Sequence, residues 1–193
     1  MVRIDRVTTR GGDAGETSLG DGTRIGKHTV RINAIGEVDE ANAAIGVLRL
    51  HTGHQPGHQP GIDATIDATL ARIQNDLFDL GADLCVPGTG GDRLRLTDAP
   101  LAQLEADATS LNTTLPPLRS FVLPGGTPAA AHAHMARTIT RRAERALVQL
   151  HHTEPLNPNL IRYLNRLSDY LFILARCLNA PTGADVTWRP GGG

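Results

Sequence analysis

The chain has 193 residues and a mass of 20.5 kDa, a size that fits one domain with its own core. Lys and Arg number 19 against 20 Asp and Glu, so bulk charge indicates neither a nucleic-acid partner nor an acidic membrane surface. No apolar stretch is long enough to span a bilayer and the first residues lack a secretory signal, so we expect a cytoplasmic protein without a membrane anchor.

Residues 1–30 are predicted to form a loop rather than a helix or strand, because five glycines lie between positions 11 and 22 among Asp, Thr and Ser. Glycines let backbone N–H groups approach anionic oxygens, while Thr17 and Ser18 add donors and Lys27 adds charge. This composition fits both a phosphate-binding loop and an ordinary Gly-rich loop. The standard P-loop does not, since Asp21 and His28 stand where a Gly and a hydroxyl residue belong.

Apolar residues recur at helical spacing in five later segments, which predicts helices over residues 35–50, 62–84, 98–115, 127–152 and 159–178. Thr127 is the expected N-cap of the fourth helix, with Pro128 at its first position. Residues 51–61 contain HQPG twice and predict a surface loop, in which His51, His54 and His58 are more typical of solvated residues than of a metal site.

These elements predict an all-α fold, namely a five-helix up-and-down bundle in a single domain over residues 1–193. The Gly-rich loop occupies residues 1–30 and the bundle residues 31–180. The C-terminal tail, residues 181–193, is expected to be loosely held.

An Arg-rich run, ARTITRRAER (136–145), lies inside the predicted fourth helix. Arg137, Arg141 and Glu144 fall on one face, while Arg142 and Arg145 project to a neighbouring one. Two guanidiniums in line can grip a polyphosphate, because the planar fork of Arg bonds phosphate oxygens bidentately. A solvated Arg/Glu face with ion pairs is the open alternative.

Other polar residues near apolar helix faces also need partners. Asn165 suits a ligand contact, and Asp169 suits a structural hydrogen-bond network. Asp39 lies near the start of the first helix, where its charge either interacts favourably with the helix dipole or pairs with an Arg such as Arg137. His132 and His134 are two apart, which is the wrong spacing for a helical metal pair, and we expect His134 to be the hydrogen-bonding one. We therefore predict no protein-bound metal.

Taken together, several blocks resemble the PduO-type ATP:corrinoid adenosyltransferases in the family's order and spacing. They are TTRGGDAGETSLGDGTRIGK followed by AIGEVDEANAAIG, then IQNDLFDLGADL (73–84), LPPLRSFVLPGGTPAAAHAHMARTITRRAER (115–145) and YLNRLSDYLFILAR (163–176). The likeness covers most of the chain outside the HQPG repeat. Joint occurrence of the blocks is specific, although each block alone is not.

The resemblance implies a homotrimer with ATP bound between neighbouring subunits. The implied nucleotide-binding residues are Thr9, Arg10, Gly11, Gly12, Thr17, Ser18, Lys27, Arg141, Arg142, Glu144, Arg145 and Asn165. Asp39 and Arg137 match the family's subunit-bridging ion pair, and these two residues together with Arg141 are the implied catalytic residues. Phe121 matches the aromatic residue beneath the corrin, whereas the sequence without this resemblance favours an ordinary core anchor before the PGG turn.

The implied reaction transfers the 5'-deoxyadenosyl group of ATP, with Mg, to the cobalt of reduced cob(I)alamin, giving adenosylcobalamin and triphosphate. Cobalt is the nucleophile, so no Ser/His/Asp or paired-carboxylate constellation is needed. A mutase that uses adenosylcobalamin and a flavoprotein reductant are the implied partners. The rival hypotheses are an ATP-sensing or corrinoid-delivery module, a bare oligomerisation bundle, and a kinase or ATPase.

Overall fold

The computed structural model describes Asp5 and residues 8–52, 64–88, 93–180 and 185–191. Two short strands, β1 (Glu16–Ser18) and β2 (Arg24–Gly26), precede five helices: α1 (Val30–Arg49), α2 (Ala64–Leu84), α3 (Asp98–Asn112), α4 (Pro128–His151) and α5 (Pro158–Asn179). The predicted helical bundle is confirmed. His54 and His58, and the first predicted residues of the second helix, lie outside the described residues. No helix in the described part is both long and apolar enough to cross a membrane.

Helix boundaries follow local capping chemistry. Thr127 is the N-cap of α4 as predicted, and its Oγ1 accepts a hydrogen bond from Ala130 N at 3.1 Å. α1 begins at Val30 rather than residue 35, and its first turn buries Arg31, which bonds the α2 carbonyl of Leu84. α3 ends before its predicted limit, because the hydroxyls of Thr113 and Thr114 bond backbone carbonyls in its last turn.

Helix α4 is the centre of the bundle. It packs against α1 and α5, while α2 packs on the other side of α1 and α3 on the other side of α5. Small residues on α4 allow this close approach on two sides, and its buried alanines are Ala129, Ala130, Ala133, Ala136, Ala143 and Ala146. The Arg run of residues 136–145 is thereby carried on the helix that packs between α1 and α5.

The N-terminal segment contains a β-hairpin, so the prediction of a loop without strands is wrong. β1 and β2 are antiparallel, with Thr17 opposite Ile25. The connection closes through Leu19 N to Thr23 O at 2.9 Å, and Gly22 adopts a φ of 88°, which an L side chain rarely adopts. Three-residue strands are too short to show an alternating pattern, which is why the sequence did not predict them.

The described part of the C-terminal tail is held by backbone hydrogen bonds, contrary to the expectation of a loosely held segment. Val122 and Thr187 form an antiparallel bridge. Leu123 N donates to Val186 O, and Trp188 N donates to Phe121 O, both at 2.8 Å. We call this pairing of residues 120–123 with residues 186–188 the tail ladder. It brings the tail to the segment that carries Phe121.

Candidate functional site

The Gly-rich loop is closed by two cationic side chains. Lys27 Nζ donates to Gly12 O at 2.9 Å, and Arg24 Nη2 donates to Gly11 O at 2.7 Å. Among the described residues, the backbone hydrogen bonds of residues 9–28 lie within this segment, run to the adjacent Thr29, or reach the residue after α2, where Gly20 N donates to Cys85 O at 2.8 Å. The loop is therefore a preformed, cation-bearing turn. Sequence reasoning missed Arg24, whose place opposite the glycines depends on the hairpin register.

The turn at the start of this loop has an unusual backbone. Arg10 has a φ of 60°, a conformation that costs energy for a residue with a Cβ, and its carbonyl accepts from Asp13 N at 3.2 Å. Thr9 is exposed beside it, and Ser18 Oγ accepts from Arg24 Nη1 at 3.3 Å. Thr17 is half-buried on β1. The predicted loop residues thus lie either on the hairpin or in the chain directly before and after it.

Arg137 and Arg141 are brought together on α4, as predicted. The Arg137 guanidinium lies over the Phe172 ring with its carbon 6.0 Å from the centroid, and its buried Nε has no hydrogen-bond partner in the described structure. Burial and the charge of nearby Arg141 lower the pKa of Arg137. Arg141 is exposed, and Arg145 Nη1 donates to its carbonyl at 3.2 Å. The two guanidiniums, carried four residues apart on α4, form a cationic line along this face.

Arg142 points to α1 instead. Its Nε donates to Glu37 Oε2 at 2.5 Å, and its Nη2 donates to Glu40. Hydrogen bonds to the two carboxylates raise the pKa of Arg142. This side chain is engaged within the chain by two residues that sequence reasoning missed, because a helical wheel does not say which residues of α1 face α4. Its nucleotide-binding role stays a prediction.

Glu144 and Asn165 are joined across α4 and α5. Asn165 Nδ2 donates to Glu144 Oε1 at 2.9 Å, so two residues predicted to bind nucleotide are adjacent. Asp169 instead pairs with Arg166 at 2.6 Å, which agrees with the structural interpretation of that residue.

The predicted Asp39–Arg137 pair is not made inside one chain. Asp39 is exposed on α1, and among the described residues it forms no ion pair. Because the resemblance implied a bridge between subunits, this observation leaves the expectation untested.

Phe121 is 76% exposed, so the alternative that it anchors the core is wrong. Its ring lies 6.2 Å from that of Trp188, centroid to centroid, and the two planes are inclined by 55°. Trp188 is itself 47% exposed. The two rings form an apolar surface that we call the aromatic platform. Sequence reasoning missed Trp188 because it lies in the tail.

Three histidines outside the HQPG repeat make ring contacts. The rings of His51 and His132 stack with centroids 4.5 Å apart. His134 is buried beside Phe172 and neither ring nitrogen has a partner in the described part, so the expectation that it hydrogen-bonds is wrong. Burial lowers the pKa of His134. The described residues contain no group of three or more His, Cys, Asp or Glu arranged for a metal.

Comparison with known proteins identifies the family. The family model described as cobalamin adenosyltransferase matches residues 7–178. The chain belongs to this family. It is 49% identical over 189 residues to the cobalamin adenosyltransferase of Cupriavidus metallidurans, covering 97% of this chain and 96% of the relative. It is 45% identical to the corrinoid adenosyltransferase of Mycobacterium leprae, covering 99% of each.

Solved structures of the family give the same fold. A variant PduO-type ATP:corrinoid adenosyltransferase from Lactobacillus reuteri, complexed with cobalamin and ATP, superposes with a TM-score of 0.85 at 34% identity, covering 95% of this chain and 99% of that one. Another variant from the same organism, complexed with ATP, gives a TM-score of 0.83 at 35% identity, covering 95% and 100%. The five-helix bundle described above is therefore the fold of the cobalamin adenosyltransferase family.

Proposed function

We propose that this chain transfers the 5'-deoxyadenosyl group from ATP to the cobalt of a reduced corrinoid. Cobalt(I) donates its electron pair to C5' of ATP, the cobalt–carbon bond forms, and the C5'–oxygen bond breaks to release triphosphate. The observation that supports this proposal best is that Arg137 and Arg141 form a cationic line on α4 beside the hydrogen-bonded pair Glu144 and Asn165. Such a line suits a polyphosphate leaving group. The chain also belongs to the cobalamin adenosyltransferase family.

The nucleotide pocket lies between subunits of a homotrimer, where the loop of one subunit meets α4 of the next. Two features support this arrangement. In the described part of the chain, the backbone hydrogen bonds of the loop stay within it, run to the adjacent Thr29, or reach Cys85 just after α2. On α4, Arg137 Nε is buried without a partner and Asp39 on α1 is exposed and unpaired among the described residues. An Asp39–Arg137 pair across the interface would satisfy both side chains.

Charge compensation is the main catalytic contribution of the protein. Lys27 and Arg141 stabilise the departing triphosphate, because preorganised cations act where negative charge develops. Arg145 lies on the neighbouring face of α4. Asn165, whose side chain is held by a hydrogen bond to Glu144, orients the nucleoside.

Magnesium enters as part of the MgATP substrate. Mg²⁺ retains several waters and is usually held by phosphates with one or two carboxylates, so a dedicated protein cage is not required. Glu144 is a half-buried carboxylate on the same face of α4 as Arg141, which fits a partner for a phosphate-bound ion. When bound, the ion neutralises charge on the triphosphate.

The aromatic platform serves the corrinoid. An exposed apolar ring such as Phe121 excludes water and an axial ligand from the lower face of the corrin, which favours the reduced metal. Cobalt(I) requires a strong one-electron donor, for which we propose a flavoprotein reductant. The product suits direct transfer to an adenosylcobalamin-dependent mutase in the cytoplasm.

An anaerobic incubation with chemically reduced cobalamin and MgATP tests this function. The expected result is the absorption change of cobalt–carbon bond formation, with one triphosphate released per adenosylcobalamin. Nucleotide binding without triphosphate would instead favour a sensing or delivery module. Release of ADP or phosphate would favour a kinase or ATPase, and either outcome would overturn the proposal.

A further inference from the structure

The segment that carries Phe121 is fastened at both ends to the last turns of α5. At its start, Arg176 Nη2 donates to Pro116 O at 2.8 Å. At its end, Asn179 Nδ2 donates to Gly125 O at 3.0 Å and Asn179 Oδ1 accepts from Thr127 N at 2.9 Å. These bonds fix where the segment begins and ends, and the tail ladder bonds its middle, residues 120–123.

Arg176 also holds the tail. Its Nε donates to Asp185 Oδ2 at 2.8 Å, and the two side chains are 6% and 12% exposed. A buried ion pair contributes little net stability over an apolar pair of similar volume, but it can fix one arrangement among several. One guanidinium therefore contacts both the Phe121 segment and the tail.

The tail ladder transmits this arrangement to the aromatic platform. Three residues beyond Asp185, Trp188 N donates to Phe121 O at 2.8 Å, and Ser120 Oγ donates to Trp188 O at 2.8 Å. Phe121 and Trp188 are both exposed, and neither ring belongs to the buried core of the described residues. Their mutual position depends on the register of the ladder, which Arg176 and Asp185 fix near one end.

We propose that Arg176 is a positioning residue for the corrinoid site, acting through Asp185 and the tail on the orientation of Phe121 and Trp188. This inference rests on the proposed corrinoid role of the aromatic platform. It assigns to a buried Arg–Asp pair a role in substrate turnover beyond stability. Lys at position 176 would keep the charge, but it lacks the planar fork that bonds two acceptors in fixed geometry.

Trp188 is the only tryptophan of the chain, so its fluorescence reports the tail directly. In Arg176→Lys and Asp185→Asn we expect red-shifted emission and easier quenching by acrylamide, with ATP affinity unchanged. With reduced cobalamin, kcat should fall about 10- to 100-fold, as when a contact group is misplaced by up to an ångström. The control Arg162→Gln removes an exposed α5 ion pair with Asp98 and should match wild type in all three readouts.

Several outcomes would overturn the inference. One is a lowered Tm with wild-type kcat and wild-type Trp188 emission, which would make the pair purely structural. Failure of both variants to fold would equally show a requirement of the fold rather than a positioning role. If wild-type protein itself fails to transfer adenosyl, the proposed function is at fault, whereas an active wild type with equally active variants contradicts this inference alone.

Discussion

Asn165 Nδ2 donates to Glu144 Oε1 at 2.9 Å and so connects α5 to α4 at the proposed nucleotide site. Asn165→Asp removes the donor and sets two carboxylates against each other, which should also repel triphosphate. We expect KM for ATP to rise about 10-fold, equivalent to about 1.4 kcal/mol. Steady-state kinetics at saturating reduced cobalamin measure this change.

The matched control is Asn75→Asp, an exposed position on α2 where the side chain bonds the carbonyl of Ala71 in its own helix and no other residue that the structure describes. This variant should keep the wild-type KM. An unchanged KM in Asn165→Asp would remove that residue from the nucleotide site.

Arg141→Ala should lower kcat/KM for ATP by about 10²- to 10³-fold, the loss seen when one preorganised donor to a transition-state charge is removed. Its guanidinium is exposed and makes no hydrogen bond or ion pair with the described residues, so Tm should stay at the wild-type value. Kinetics and thermal melting are the two measurements. Arg162→Ala, on the exposed side of α5, is the control. Equal activity of the two variants would contradict the assigned role.

Phe121→Ala should leave ATP binding intact and reduce turnover of cobalamin. The ring is 76% exposed, so its removal costs little core burial. Calorimetric ATP titration and the anaerobic assay separate the two effects. Phe78 on α2 is 71% exposed, and Phe78→Ala controls for loss of an exposed aromatic ring. Wild-type turnover in Phe121→Ala would show that the platform does not act on the corrinoid.

His134 should make stability fall at mildly acidic pH. Burial lowers its pKa in the folded protein, so as pH drops below about 6.5 the unfolded chain takes up a proton before the native chain does. The free energy of unfolding should therefore decrease as pH falls from about 6.5 toward the folded pKa, by at most about 1.4 kcal/mol per pH unit.

Denaturant titrations across this pH range measure how the free energy of unfolding changes with pH. In His134→Leu, the decrease that protonation of His134 causes should be absent. His152→Gln, at the exposed C-cap of α4, should keep it. A wild-type slope in His134→Leu would mean that other groups control the acid response.

Much of the fold could be predicted from the sequence because buried residues repeat at helical spacing. The predicted apolar stripe of α2 has six members, of which Ile66 is half-buried against the core and the other five are buried, namely Leu70, Ile73, Leu77, Leu80 and Leu84. The hairpin and the tail ladder lacked such a signal. Their pairings join very short segments, and Val122 meets Thr187 only through the tertiary fold.

The candidate site was predictable in part for the same reason. Spacing along α4 placed Arg137 and Arg141 on one face. It gave no information about which residues of another helix would face Arg142, so its partners Glu37 and Glu40 appeared only in the structure. The exposure of Phe121 likewise depends on where a non-helical segment lies on the bundle.

Subunit mixing tests most directly whether the loop of one subunit and α4 of the next form one nucleotide pocket. Lys27→Ala and Arg141→Ala should each be nearly inactive alone. In trimers assembled from equal amounts of both, a mixed ring has one interface in which both residues are intact, so about a quarter of wild-type activity should return. Activity that stays at the average of the two separate variants would contradict a pocket shared between subunits.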